Sequence, residues 1–437
     1  MVRRIGVSGG IAGLAGLVLA IGLGGCSATV ESNSPSPIVF APGLGMSALA
    51  VEVEGGSEFS FLVPVMTSPE LLPAPATSAL DYSLRSGLAP TDVDRVQEWL
   101  SLVIEADGTA VNANGVSVRP VSVGEDFGAE CPQYVPMADL LTEQGWERDT
   151  SLRCLPYDYR YPPGENSFAA DLVLVVTDAV ADANGQKAVI ACHSQGCLMA
   201  DHALRTLDPD WVADHVLALY GFAGQYSGCS DCMAWAFGQG WSWDTDTPNA
   251  SPVDPTWVGQ LALDLQPSVY ADSILYTVGK REFRATDTES LLRIGGAEQM
   301  ARATSRYGLQ RQEWFASGDE SRVPLPIPAR FVYGTGLPTT IGYAFADPFS
   351  KNARCSESDC VGLGDQVDVP AISADGDGGD STMMNAAPAR WTKDPGCEMR
   401  ALPGVTHFGV VTDALAIDLL VAVARPGTNG EVLCVTP

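Results

Sequence analysis

One serine stands where a nucleophile would have to stand. Ser194 lies in Ala191-Cys192-His193-Ser194-Gln195-Gly196-Cys197, between the apolar run Lys187-Ala188-Val189-Ile190-Ala191 and the helix-like run Leu198-Met199-Ala200-Asp201-His202-Ala203-Leu204. Strand, sharp turn and helix in that order make a nucleophile elbow: small residues on both sides let the serine take a strained backbone conformation and raise its hydroxyl above a sheet. The first position of the usual G-x-S-x-G pattern is Cys192 here, so the match is C-x-S-x-G. The alternative is a chance Ser-x-Gly in a loop.

A serine hydroxyl needs a base, and the chain holds four histidines: His193, His202, His215 and His407. His193 lies inside the turn and should point elsewhere. His202 follows the serine by eight residues on the helix, roughly 12 Å of rise away, and His215 opens the next strand. His407, in Gly404-Val405-Thr406-His407-Phe408-Gly409, follows the last strand and is the candidate base. The orienting acid should come between serine and histidine in the chain, and Asp375-Gly376-Asp377-Gly378-Gly379-Asp380-Ser381-Thr382-Met383 offers three carboxylates. The order Ser, Asp, His is that of an α/β-hydrolase. The same run could be a calcium loop or a hydrophilic turn, though no glutamate follows at EF-hand spacing. An oxyanion hole needs backbone N–H donors. Gln195, after the serine, is one candidate, and Leu44, in Pro42-Gly43-Leu44-Gly45 after the first core strand, is the other. A plain glycine turn is the alternative reading of that second segment. The scheme requires no cofactor and no metal.

The elements that would carry these residues alternate along the chain. Short apolar runs at Ile38–Ala41, Leu152–Leu155, Lys187–Cys192, Val216–Tyr220, Arg330–Tyr333 and Met399–Leu402 read as strands buried on both faces. Helical stretches at Tyr134–Gln144, Ser167–Asn184 and Leu198–Leu207 lie between them. The pattern predicts an α/β fold with a mostly parallel sheet. Two stretches, residues 52–114 and 229–324, break the alternation and read as cap or lid inserts. Six of the nine tryptophans fall in them, which suits either packing of cap on core or an apolar substrate.

The ends and the composition concern address. Arg3 and Arg4 precede an apolar run of 13 residues, Ile11 to Leu23, short of the roughly 20 that span a bilayer. Leu23-Gly24-Gly25-Cys26 then resembles a bacterial lipobox, which predicts a signal peptide over residues 1–26, a lipid-modified Cys26, a flexible Ser/Pro/Asn tether over 27–37 and a hydrolase domain over 38–437. An ordinary secretory signal is the alternative. The expected site is the cell envelope or outer surface, held to the membrane through the lipid. Of the 11 cysteines, ten remain for disulfides once Cys26 is set aside. Spacing suggests Cys229 with Cys232, Cys355 with Cys360, and Cys131 with Cys154 or Cys397 with Cys434. Half a zinc site is the weaker reading of Cys229-x-x-Cys232, since no second pair follows at the right spacing. A net charge of −28 excludes nucleic acid as a partner and disfavours anionic head groups. Nothing in the sequence sets an oligomeric state.

Several segments together resemble the lecithin:cholesterol acyltransferase and lysosomal phospholipase A2 group of α/β-hydrolases. Ile38 to Leu49 is similar to its oxyanion segment. Gly115-Val-Ser-Val-Arg119, Gly145-Trp146 and Leu155-Pro-Tyr-Asp-Tyr-Arg160 resemble its tyrosine-aspartate-tryptophan-arginine region, with Tyr159 in place of tryptophan. Cys192 to Gly196 resembles its His-Ser-Met-Gly elbow, and Val332-Tyr-Gly-Thr-Gly-Leu-Pro-Thr339 its tyrosine-glycine-x-glycine-x-proline-threonine run. Gly379-Asp380-Ser381-Thr382-Met383 is similar to its acid motif, so the resemblance implies Asp380 as the acid and keeps Asp377 as the alternative. It further implies an acyl-enzyme that hydrolyses or transfers acyl groups from lipid esters such as phospholipids. The inserts depart from the family: no cysteine lies between Cys26 and Cys131 to form its lid pair, and Gly221 to Tyr226 replaces its glycine-x-proline-aromatic turn. A short-chain esterase or an inactive binding module are the other readings.

Overall fold

In the computed structural model, six strands stand side by side: β1 (Ile38–Ala41), β2 (Leu152–Cys154), β3 (Ala188–His193), β4 (Val216–Phe222), β5 (Ala329–Thr335) and β6 (Glu398–Pro403). The structure describes residues 34–54, 58–62, 99–229, 231–236, 256–270, 273–315, 323–345, 371–379 and 398–425. The sheet order is β6-β5-β4-β3-β1-β2, and every neighbouring pair is parallel. Parallel strands need crossovers, and α1 (Val135–Glu143), α2 (Phe168–Asp182) and α3 (Gln195–Thr206) lie in three of them, while α4 (Ala414–Ala424) follows the last strand. Covered on both faces, β1 and β3 are buried along their whole length, which is why they read as unbroken apolar runs. This is an α/β-hydrolase fold.

The described residues in and around the segments that break the alternation carry regular elements. The first carries Ala48–Val53, which pairs antiparallel with Glu58–Leu62 and with Val116–Pro120, and a hairpin of Leu102–Ile104 with Ala110–Asn112. The second is largely helical, with Val258–Leu263, Thr288–Ile294 and Glu298–Phe315. It also holds the hairpin Tyr276–Val278 and Arg281–Phe283. Strands of three residues, as in these hairpins, are too short to show a period. Tyr276–Val278 then pairs with Leu337–Phe345, which pairs with Ala371–Gly376, forming a four-stranded second sheet.

Arg160, fully buried, fastens the first insert to the core. Its guanidinium makes a double contact with Asp158 and donates to Leu100 O at 3.2 Å and Asn112 Oδ1 at 2.8 Å. A planar fork of donors suits this geometry better than the point charge of a lysine. Trp257, from the second insert, donates to the same Leu100 carbonyl at 2.8 Å and packs on Tyr159 with ring centroids 5.1 Å apart.

Three disulfides hold the described core: Cys131–Cys154, Cys229–Cys232 and Cys192–Cys197. The first two follow the spacing argument. The third, which ties the end of β3 to the first turn of α3, does not, because Cys192 reads as a small stand-in for glycine. Elimination among the ten cysteines carries the signal, since the four suggested pairs use every cysteine except these two. Cys355, Cys360, Cys397 and Cys434 lie outside the described residues, as do residues 1–33 with Cys26. Among the described residues no helix is long and apolar enough to cross a membrane.

Candidate active site

The apolar strand β3 ends at His193, and the chain turns sharply into α3. Ser194 makes the turn with φ 55° and ψ −127°, a region that L-residues avoid, so the surrounding packing must hold it there. Its N–H donates to Phe222 O on β4 at 3.1 Å, and its carbonyl accepts from Cys197 N at 3.1 Å. The first turn of α3 then passes so close to the loop after β1 that a Cβ on Gly196 would lie 2.3 Å from Pro42 O. Glycine at this place is therefore a packing requirement as well as a turn requirement.

The loop after β1 approaches the serine from the other side. A Cβ on Gly43 would stand 3.1 Å from Ser194 Cβ and 3.2 Å from His193 Nδ1. Gly43 N–H donates to Tyr134 Oη at 2.9 Å and so is already committed, while Leu44 is the next residue in the turn and is buried. Tyr157 Oη sits 2.9 Å from Pro42 O and 3.1 Å from Gln195 Oε1, two acceptors that share its one proton. The loop and the residue after Ser194 are thereby held together. Gln195 Nε2 in turn donates to Gly259 O at 3.4 Å, so the second insert touches the elbow directly.

His407 lies in the loop after β6 and is buried, 4% exposed. Its Nδ1 stands 3.1 Å from Asp377 Oδ2, and its backbone N–H donates to Asp377 O at 2.9 Å. A carboxylate oxygen only accepts, so Nδ1 carries a proton and donates it. Asp377 Oδ1 accepts from Gly379 N at 2.9 Å, and Gly378 N donates to Thr339 Oγ1 at 2.9 Å. Among the described residues the carboxylate partner of His407 is Asp377, the alternative acid of the sequence reading; Asp380, the residue favoured by resemblance to the acid motif, lies outside the described residues. The physical reason is the Gly378-Gly379 turn, which folds Asp377 back on His407 directly after Ala371–Gly376. A Cβ on Gly379 would lie 3.0 Å from His407 Cβ, a second mark of that closeness. Asp375 faces away and accepts from Gly336 N at 2.9 Å. Among the described residues no three His, Cys, Asp or Glu side chains gather as a metal site.

The remaining histidines lie elsewhere. His202 is half-buried on α3, and burial holds its pKa below the ordinary histidine value. His215 stacks on Trp211 at 4.8 Å and pairs through Nδ1 with Trp211 O. His193 is buried completely between Tyr134 Oη, 2.8 Å from its Nδ1, and His407 O, 2.9 Å from its Nε2. Its ring lies 4.9 Å from that of His407. Sequence reasoning sets it aside, since a residue beside a nucleophile gives no spacing signal for what its ring touches.

Residues 88–245, which include β2 to β4, the elbow and Arg160, match the lecithin:cholesterol acyltransferase family model. A rat phosphatidylcholine-sterol acyltransferase is 24% identical over 194 residues, 43% of this chain, and the chain spans about 42% of that relative's length. Similar solved structures include a chain of the Tle4–Tli4 complex, with TM-score 0.45, 11% identity, and coverage of 90% of this chain and 98% of that one. Another is the carboxylesterase CesB from Bacillus subtilis, with TM-score 0.28, 9% identity, and coverage of 70% and 82%.

Proposed function

We propose that the chain is a serine-nucleophile acyl-ester hydrolase with acyl-transfer capacity, acting on lipid esters. The observation that carries the reading is the buried His407–Asp377 pair, whose His407 carbonyl lies 2.9 Å from Nε2 of His193, the residue before a serine at positive φ in an elbow. Ser194 Oγ attacks the ester carbonyl while His407 Nε2 takes its proton, and Asp377 orients the imidazole through its Nδ1–H and stabilises the imidazolium that forms. The tetrahedral oxyanion is received by the N–H groups of Leu44 and Gln195. Collapse expels the alcohol, protonated by His407, and leaves an acyl-serine that water or a second alcohol then releases.

The lipid part of the reading is supported by the similarity of residues 88–245 to the lecithin:cholesterol acyltransferase family model and by the cover over the serine. Ser194 is 2% exposed, and the insert residue Gly259 reaches its neighbour Gln195. A covered, water-poor site favours an apolar acyl chain and lets a lipophilic alcohol compete with water. Export fits the three disulfides, and the lipobox at Cys26 supports a lipid anchor in the cell envelope.

A fluorophosphonate probe should label the protein and fail to label Ser194→Ala, with ester hydrolysis reduced on the order of 10⁴- to 10⁶-fold. Product partition between free fatty acid and new ester, with and without a lipophilic alcohol in micelles, then reads transfer. Activity confined to short soluble esters would leave a plain esterase, and absence of labelling would leave a binding module.

A further inference from the structure

His193 is the one histidine whose ring touches two of the three loops that meet at Ser194, and its tautomer follows from its partners. His407 O is a carbonyl and only accepts, so His193 Nε2, 2.9 Å away, carries a proton and donates. The ring is wholly buried, and desolvation, reinforced by the neighbouring His407, pushes its pKa well below the ordinary histidine value, so the second nitrogen is bare. Nδ1 then accepts from Tyr134 Oη at 2.8 Å. Met46 Sδ also lies 2.7 Å from that oxygen, but the hydroxyl has one proton and an imidazole nitrogen is the stronger acceptor. Tyr134 Oη in turn accepts from Gly43 N–H at 2.9 Å. Burial also keeps the Tyr134 phenol protonated by pushing its pKa upward. The result is one polarised chain running from Gly43 N–H through Tyr134 and His193 to the backbone of His407.

We propose that His193 is a positioning residue. Held as its neutral Nε2–H tautomer, it fixes the distance between the loop after β1, which carries the oxyanion donor Leu44, and the loop that carries the base His407. The inference rests on the catalytic reading above. Each loop alone is tied to the rest of the fold, Gly43 through Tyr134 and His407 through Asp377, and His193 joins the two ties directly beneath the serine. Its neutrality matters because His407 becomes charged during the reaction 4.9 Å away, and a second cation there would oppose that step.

The test uses the full chain labelled with ¹⁵N-histidine, with the four resonance sets assigned by single substitutions. His193 is expected to give the neutral Nε2–H pattern unchanged from pH 5 to 8, and its Nδ1 resonance should shift in Tyr134→Phe. An Nδ1–H tautomer, or titration with an ordinary midpoint near 6.5, would overturn the proposal. In kinetics, His193→Phe should lower kcat on the order of 10- to 100-fold with KM within about twofold, as expected for a small displacement of reacting groups. His193→Gln, which keeps a donor near His407 O, should recover part of the loss, and adding Tyr134→Phe to His193→Phe should cost less than Tyr134→Phe costs alone. A kcat for His193→Phe within twofold of the parent, or fully additive losses, would also overturn it. Failure of the catalytic reading looks different: hydrolysis would then be indifferent to Ser194→Ala, while the spectrum would still report the tautomer.

Discussion

Two aspartates three residues apart compete for one role, and a single pair of substitutions separates them. Asp377→Asn should cost on the order of 10⁴-fold in turnover, because an amide in place of Oδ2 favours the tautomer that protonates the wrong nitrogen of His407. Asp380→Asn should cost far less. Steady-state rates at pH 8 on one ester suffice, and the reverse ranking would return the acid to Asp380. His193 gives a second prediction at this scale. Its folded pKa lies below 6.5, so the unfolded chain takes up a proton there that the folded chain refuses. Its contribution to stability is therefore complete above pH 6.5 and lost progressively below it. The Tm difference between the parent and His193→Phe should shrink as the pH falls from 7.5 to 5, and a constant difference would mean that the ring titrates alike in both states. Legibility at this scale was uneven. Ser194 and His407 stood out by motif and elimination, whereas the choice between Asp377 and Asp380 depended on which of two glycine-flanked carboxylates folds back, and nothing in the spacing decides that.

At the scale of elements, the candidate acid does not follow a strand of the main sheet. Asp377 follows Ala371–Gly376, a strand of the second sheet, which reaches through Leu337–Phe345 to the hairpin of the second insert. The insert and the acid therefore share a scaffold. Gly334 on β5 is where that scaffold meets the main sheet. A Cβ there would lie 1.9 Å from Val405 O and 2.7 Å from Asp377 Cβ, and both neighbours belong to the site loops. Gly334→Ala should destabilise by about 1–3 kcal/mol and slow turnover together. Thermal melts alongside rates check this, and a Gly334→Ala enzyme of parental rate would detach the second sheet from the chemistry. All six strands of the main sheet were legible as mostly apolar runs, most plainly β1 and β3, where burial on both faces makes a strand's sequence uniform. The second sheet was not: Leu337–Phe345 has a mixed burial pattern, and three-residue strands such as Tyr276–Val278 are too short to show a period.

Across the whole molecule the dominant quantity is charge. With 53 acidic against 25 basic residues, the surface repels anions over a Debye length. Hydrolysis of esters in zwitterionic micelles should exceed that in anionic vesicles at low salt, and the gap should close as ionic strength passes about 0.15 M. A gap insensitive to salt would point to head-group recognition in place of long-range repulsion. The same bias makes a membrane tether useful, since the surface offers no electrostatic hold on an anionic bilayer. Cys26→Ser should release the protein from the membrane fraction without changing its rate on soluble esters. Retention of that variant in the membrane fraction would remove the anchor at Cys26 from the proposal.

The bridge between Cys192 and Cys197 encloses Ser194 in a ring of six residues whose two sulfur-bearing side chains are fully buried. A thiolate must touch a sulfur to exchange with it, so the bond is out of reach while the chain stays folded. Its state is set during folding and afterwards kept, making the elbow a record of the compartment in which the chain first folded. Protein folded in the presence of reductant and then moved to air should retain free thiols at both positions by mass spectrometry. Protein folded under oxidising conditions should keep the bond through hours in reductant, until it is unfolded. If instead both preparations converge within minutes, the interior at the elbow opens often enough to forget.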